Sequence, residues 1–68
     1  MVNVERLKRY AEETSGNVDN FARSLGMNAA TFYRKLQSHG DKFTIGEVHR
    51  MMEQVNMPKE TAISIFFS

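Results

Sequence analysis

Apolar residues recur along the chain at helical spacing, and no segment alternates for long enough to form a strand. Val4, Leu7 and Ala11 mark one face of a first helix, which should end near Thr14-Ser15-Gly16. Asn17 is placed to cap a second helix, with Asp19 in the first turn, where the helix dipole favours a carboxylate. Val18, Phe21, Ala22 and Leu25 then follow at i, i+3, i+4 and i+7, and Gly26 stops the helix as a residue free to take positive φ does. Asn28 can cap a third helix running to about Gln37, with Phe32 and Leu36 turned inward, and Ser38 to Lys42 reads as a loop. Thr44 and Glu47 match a capping box, which opens a fourth helix carrying Ile45, Val48, Met52 and Val55 on one face. Pro58 suits the first turn of a fifth helix, to which Ala62, Ile63, Phe66 and Phe67 give apolar surface. The pattern predicts an all-α fold, five short helices around one core, forming a single domain over residues 1–68.

The informative segment is Val18 to Gln37, VDNFARSLGMNAATFYRKLQ. Two helices crossing steeply over a short turn need a small residue where they touch and a glycine in the turn. Ala22 and Gly26 stand at that spacing, and Phe21, Leu25, Met27 and Phe32 flank them with apolar side chains. This is the spacing of a DNA-binding helix-turn-helix, whose second helix enters the major groove. If Phe32 and Leu36 face the core, Ala29, Ala30, Tyr33, Arg34 and Gln37 project the other way. Arg34 can offer a bidentate fork to guanine or a clamp on phosphate, and Gln37 can pair with an adenine edge. The methyl of Ala29 or Ala30 can meet a thymine methyl. Asn28, at the helix N-terminus, favours a phosphate, and Tyr33 can stack or donate its hydroxyl. Lys35, Ser38 and Lys42 lie at the edge and, with Arg23, suit backbone contacts that position the protein without specifying sequence.

These residues resemble the lambda-repressor-like and Cro-like domains of phages, the Xre family, and the resemblance covers nearly the whole chain. The downstream stretch FTIGEVHRMMEQVNMPKETAISIFF is similar to the pattern of small prophage regulators of Gram-positive bacteria. Many Xre domains place an apolar residue and then a glutamate after the arginine of the recognition helix. Lys35 and Leu36 stand there in this chain, as in the Cro branch. The resemblance implies a five-helix lambda-repressor-like fold and a phage repressor or Cro-like regulator of transcription. Several relatives dimerise through a C-terminal apolar end. It therefore also implies a homodimer contact drawn from Ile63, Ile65, Phe66 and Phe67, against the alternative of a tail folded onto its own core.

Composition narrows the field further. The formal charge of +1 is small, but residues 23–42 gather Arg23, Arg34, Lys35 and Lys42 against Asp41 alone. A polyanion would dock on that middle third. The chain has no cysteine, which excludes disulfides and thiolate metal sites and fits a reducing cytoplasm. Met1 to Arg6 has no apolar stretch of the signal-peptide kind, and the apolar run from Ala62 to Phe67 is far short of the ~20 residues that span a bilayer. His39 and His49 stand ten positions apart without ligand-spaced partners, so no metal and no cofactor is expected. Met27, Met52 and Met57 fall at core-like positions, as gap fillers do. No serine has a triad-like setting and no glycine loop could cradle a phosphate, which argues against an enzyme. A rival of another class is a protein-interaction module on the same fold, such as an antirepressor, a recombination-accessory factor or an antitoxin-like partner. The modest charge and the aromatic tail favour that rival. RNA binding lacks an aromatic stacking platform.

Overall fold

The computed structural model describes residues 1–67, and every regular element in them is a helix. In chain order these are α1 (Val4–Ser15), α2 (Val18–Ser24), α3 (Ala29–Gln37), α4 (Ile45–Gln54) and α5 (Lys59–Phe66). Their starts are set by short polar side chains. The Asn17 carboxamide accepts the Asn20 amide at 2.7 Å, and that of Asn28 accepts the Ala30 amide at 2.8 Å. At α4 both halves of the capping box form, with Thr44 N–H donating to Glu47 Oε1 at 2.8 Å and Glu47 N–H donating to Thr44 Oγ1 at 3.1 Å.

The turn between α2 and α3 is a Schellman closure. Gly26 N–H donates to the Arg23 carbonyl and Met27 N–H to that of Ala22, both at 2.9 Å. Gly26 takes φ +73°, the left-handed conformation this closure requires and an ordinary side chain resists. A second Schellman closure ends α3, where Gly40 N–H reaches the Lys35 carbonyl at 3.0 Å. There the left-handed position belongs to His39, at φ +61°.

Leu7 and Ala11 of α1, Phe21 and Ala22 of α2, Phe32 and Leu36 of α3, Met51 of α4, and Ile65 and Phe66 of α5 meet in one core. Through it runs a row of edge-to-face rings, Tyr10–Phe21–Phe32–Phe43–Phe66, with centroids 5.2 to 6.1 Å apart. Each such contact is worth about 0.5–1.5 kcal/mol beyond the area buried, and together they seat α3 from both sides.

Three expectations are corrected. Ile45, Val48, Met52 and Val55 do share a stripe along α4 and its C-cap, but the stripe borders the core instead of entering it. Met51 and Glu47 point inward, while Ile45, at the first turn, is 89% exposed. Pro58 is the N-cap of α5 and lies one residue before its first turn. Ile65 and Phe66 pack in the chain's own core instead of standing free at the apolar end, while Ile63 and Phe67 remain exposed. Successive helical residues diverge by about 100°, so Phe66 and Phe67 could not both turn inward.

Candidate nucleic-acid interface

The buried pair Phe32 and Leu36 fixes how α3 sits, and the opposite side of the helix is left to solvent. Ala30, Tyr33, Arg34 and Gln37 form that outer strip, with Asn28 exposed at its start; Ala29 is half-buried and turns partly back towards the protein. The first turn of α3 carries no acid that would repel an approaching phosphate.

One flank of the strip is basic. Thr31, Arg34, Lys35, Ser38 and Lys42 line a shallow cleft of about 280 Å³. Within it Arg34 Nη2 donates to Thr31 Oγ1 at 3.1 Å, and Ser38 Oγ donates to the Arg34 carbonyl at 3.1 Å. These bonds fix the root of Arg34 and one nitrogen of its fork, while the residue stays exposed. Arg23 stands apart on α2, exposed, with Nη1 on Asn20 Oδ1 at 3.4 Å.

The opposite flank is mixed. Tyr33 and Gln37 share a second cleft with Glu5, Lys8 and the edge of Val4 from α1. Lys8 is therefore a cation beside the outer strip that sequence reasoning missed. Its signal is weak, because only the packing of α1 against its neighbours reveals which helix Lys8 stands next to. Tyr33 is 40% exposed. Lost solvation first, then the neighbouring Asp19 carboxylate and the charge of Glu12, raise its hydroxyl above the ordinary pKa. The strip thus carries acid on one side as well as base on the other.

Lys35 departs from its expected role at the edge. Its ammonium sits on Glu47 Oε2 at 2.5 Å and lies 5.9 Å from the Phe43 ring centroid, with the two charged side chains only 18% and 9% exposed. Burial alone would raise the Glu47 pKa, but the bonds from Lys35 and Thr44 together hold it below the ordinary value. The basic middle third inferred from sequence is one charge weaker than it reads, because Glu47 comes from outside it. Another cation, Arg50 of α4, braces the turn itself, with Nη1 donating to the Leu25 carbonyl at 2.8 Å.

Away from α3, Phe67 joins Ile45, Val48, Met52 and Phe43 around an apolar groove of about 520 Å³. Among the described residues no three His, Asp or Glu side chains cluster to hold a metal ion, and no helix is long and apolar enough to cross a membrane.

A capped, glycine-turned helix pair presenting an outer strip with Arg34 at its basic edge defines a helix-turn-helix DNA-binding domain. Residues 2–39, from the start of α1 through α3, match the family model of the bacterial regulatory proteins of the Fis family. The chain belongs to that family, and its function is DNA-binding transcriptional regulation. The family matched is Fis where the sequence resembled Xre, and the two agree on the helix-turn-helix regulator class. No curated protein and no solved structure matches the chain.

Proposed function

We propose that the protein is a cytoplasmic transcriptional regulator of the phage repressor or Cro type that reads a short double-stranded operator, and that residues 1–68 act as one helix-turn-helix domain. The observation that carries this is the outer strip of α3, with Tyr33, Arg34 and Gln37 exposed together. The two helices that follow the matched segment, α4 and α5, complete a five-helix plan and support the phage-type reading. Residues 29–37 enter the major groove. Arg34 takes guanine or a phosphate, Gln37 an adenine edge, Ala30 and the exposed part of Ala29 a thymine methyl, and Tyr33 stacks or donates its hydroxyl. Asn28 and the free amides at the start of α3 meet a phosphate, and Arg23, Ser38, Lys42 and Lys8 hold the backbone. Lys35 is a weak contact in this scheme while Glu47 holds it.

The regulator acts as a homodimer whose contact uses Phe67 and Ile63. The operator is then roughly palindromic, with half-sites ~34 Å apart. The rival reading, a protein-interaction module, draws its support from the apolar groove beside Ile45 and Phe67.

Selection of binding sites from random duplex DNA, with Tyr33→Ala/Arg34→Ala as control, tests the proposal. An enriched site lost in the control establishes sequence readout, and its symmetry reports the oligomeric state. No enrichment from a folded chain favours the interaction module.

A further inference from the structure

We infer that Glu47 acts as a brake on DNA binding by holding the Lys35 ammonium off the phosphate backbone. The inference rests on the duplex-binding face proposed above. By position Lys35 belongs to that face, since its side chain lines the basic cleft together with Thr31, Arg34, Ser38 and Lys42. By contact it does not, since its ammonium turns inward to Glu47 Oε2 at 2.5 Å and over the Phe43 ring.

Glu47 cannot follow Lys35 outward. Its second oxygen accepts the Thr44 amide at 2.8 Å, and its own amide is tied to Thr44 Oγ1 at 3.1 Å. The carboxylate that completes the cap of α4 is therefore the fixed anchor, and the lysine is the movable partner. In the held position Lys35 is already neutralised and releases no counterion when DNA arrives. Glu47 lies outside the matched residues 2–39, so this restraint is supplied by the second half of the chain.

The consequence is read in the salt dependence. Each cation placed on a phosphate adds about 0.9 to the slope of log affinity against log salt for duplex DNA. The experiment measures binding of a random-sequence duplex across a salt series for the wild-type chain, Glu47→Gln, Lys35→Met and Lys35→Met/Glu47→Gln, with helical content checked for each. Glutamine can still close the capping box, so Glu47→Gln keeps the start of α4. It frees Lys35, and the slope should steepen by about 0.9, with several-fold tighter binding near 0.1 M salt. Lys35→Met and the double variant should both keep the wild-type slope.

An unchanged slope in Glu47→Gln overturns the inference. So does a flattened slope in Lys35→Met, which would show Lys35 already on a phosphate. A double variant as steep as Glu47→Gln overturns it too, because the gain would then come from the lost carboxylate alone. Should Glu47→Gln fail to fold, Glu47→Ala takes its place, since it removes the same carboxylate, leaves Thr44 Oγ1 capping the residue's amide, and is held to the same steeper slope. A folded wild-type chain with no duplex affinity would sink the duplex-binding reading and this inference with it, a different result from wild-type binding with unaltered slopes.

Discussion

The bond from Arg50 to the Leu25 carbonyl ties α4 to the turn of the helix-turn-helix, and cutting it has a calculable effect. Leu25 is the C-cap of α2, where the last carbonyls of a helix lack partners within it. Arg50 Nη1 supplies one at 2.8 Å. A hydrogen bond with a charged partner is worth ~1.5–3 kcal/mol when water is excluded. Arg50 is exposed, so water can partly replace it, and a loss of about 1 kcal/mol is expected from Arg50→Met. Methionine keeps most of the aliphatic stem, which leaves the donor as the main difference. In a domain of this size such a loss lowers the melting midpoint by roughly 4–8 °C. Arg50→Lys keeps the charge without the planar fork and should fall between the two. Thermal unfolding followed by circular dichroism reads all three chains. If Arg50→Met melted with the wild type, the bond would contribute nothing and the bracing of the turn would be refuted. If Arg50→Lys fell as far as Arg50→Met, the fork would still be required and charge alone would not.

His39→Gly should raise stability by about 0.5–1 kcal/mol, since His39 is an exposed residue at φ +61° in a position that glycine occupies without strain; an unchanged urea midpoint would count against this. Gly40→Ala should be strongly destabilising, because φ is +79° and an added Cβ would meet Val2 at 2.5 Å, so a variant melting near the wild type would mean that Val2 yields freely. The lowered Glu47 pKa gives a pH signature. With the folded value below the ordinary 4.5, its contribution is complete above that value and is lost as pH falls through the folded one. The stability gap between wild type and Glu47→Gln should therefore close in acid, and a gap constant from neutral pH to pH 3 would refute the linkage. Phe67→Ser should leave the melting point of the monomer unchanged, Phe67 being 77% exposed, while sedimentation at high concentration reports whether self-association declines.

What the sequence disclosed was local. The Asn17 and Asn28 caps, the Gly26 stop and the Thr44–Glu47 box each depend on residues within one helical turn, and all are found in the structure. The inward turn of Phe32 and Leu36 followed from period alone, and with it the outward direction of Tyr33, Arg34 and Gln37. Misreadings occurred where a residue's role depends on a partner far along the chain. Ile45 shares a stripe with Val48 and Met52, but periodicity does not say where a core ends. Ile65 looked available at the apolar end of the chain, whereas it closes the core beside α1, accepting the Asn3 amide at its carbonyl at 2.7 Å.

Charge was the least legible property, for a physical reason. A count along the sequence treats every lysine and arginine as an equal source of field, but a cation attracts a polyanion only with the charge its neighbours leave it. Lys35 is met by Glu47, twelve residues away, and Tyr33 by Asp19, fourteen away. Neither pairing has a periodic signature. Arg34, by contrast, has the uncharged Thr31, three residues back, as its side-chain partner, and no ion pair among the described residues offsets its charge at the strip where base edges would lie. A binding face whose outer strip has Arg34 as its one cation, with Lys35 restrained and Arg23, Lys42 and Lys8 left at the margins, draws fewer phosphate contacts than a plain count of its cations gives. Such a face should depend on Arg34 and Gln37 for a larger share of its affinity than the sequence charge suggests. Losing Arg34 would then cost more on a selected site than on random duplex, and equal losses on both would mean that Arg34 only clamps phosphate.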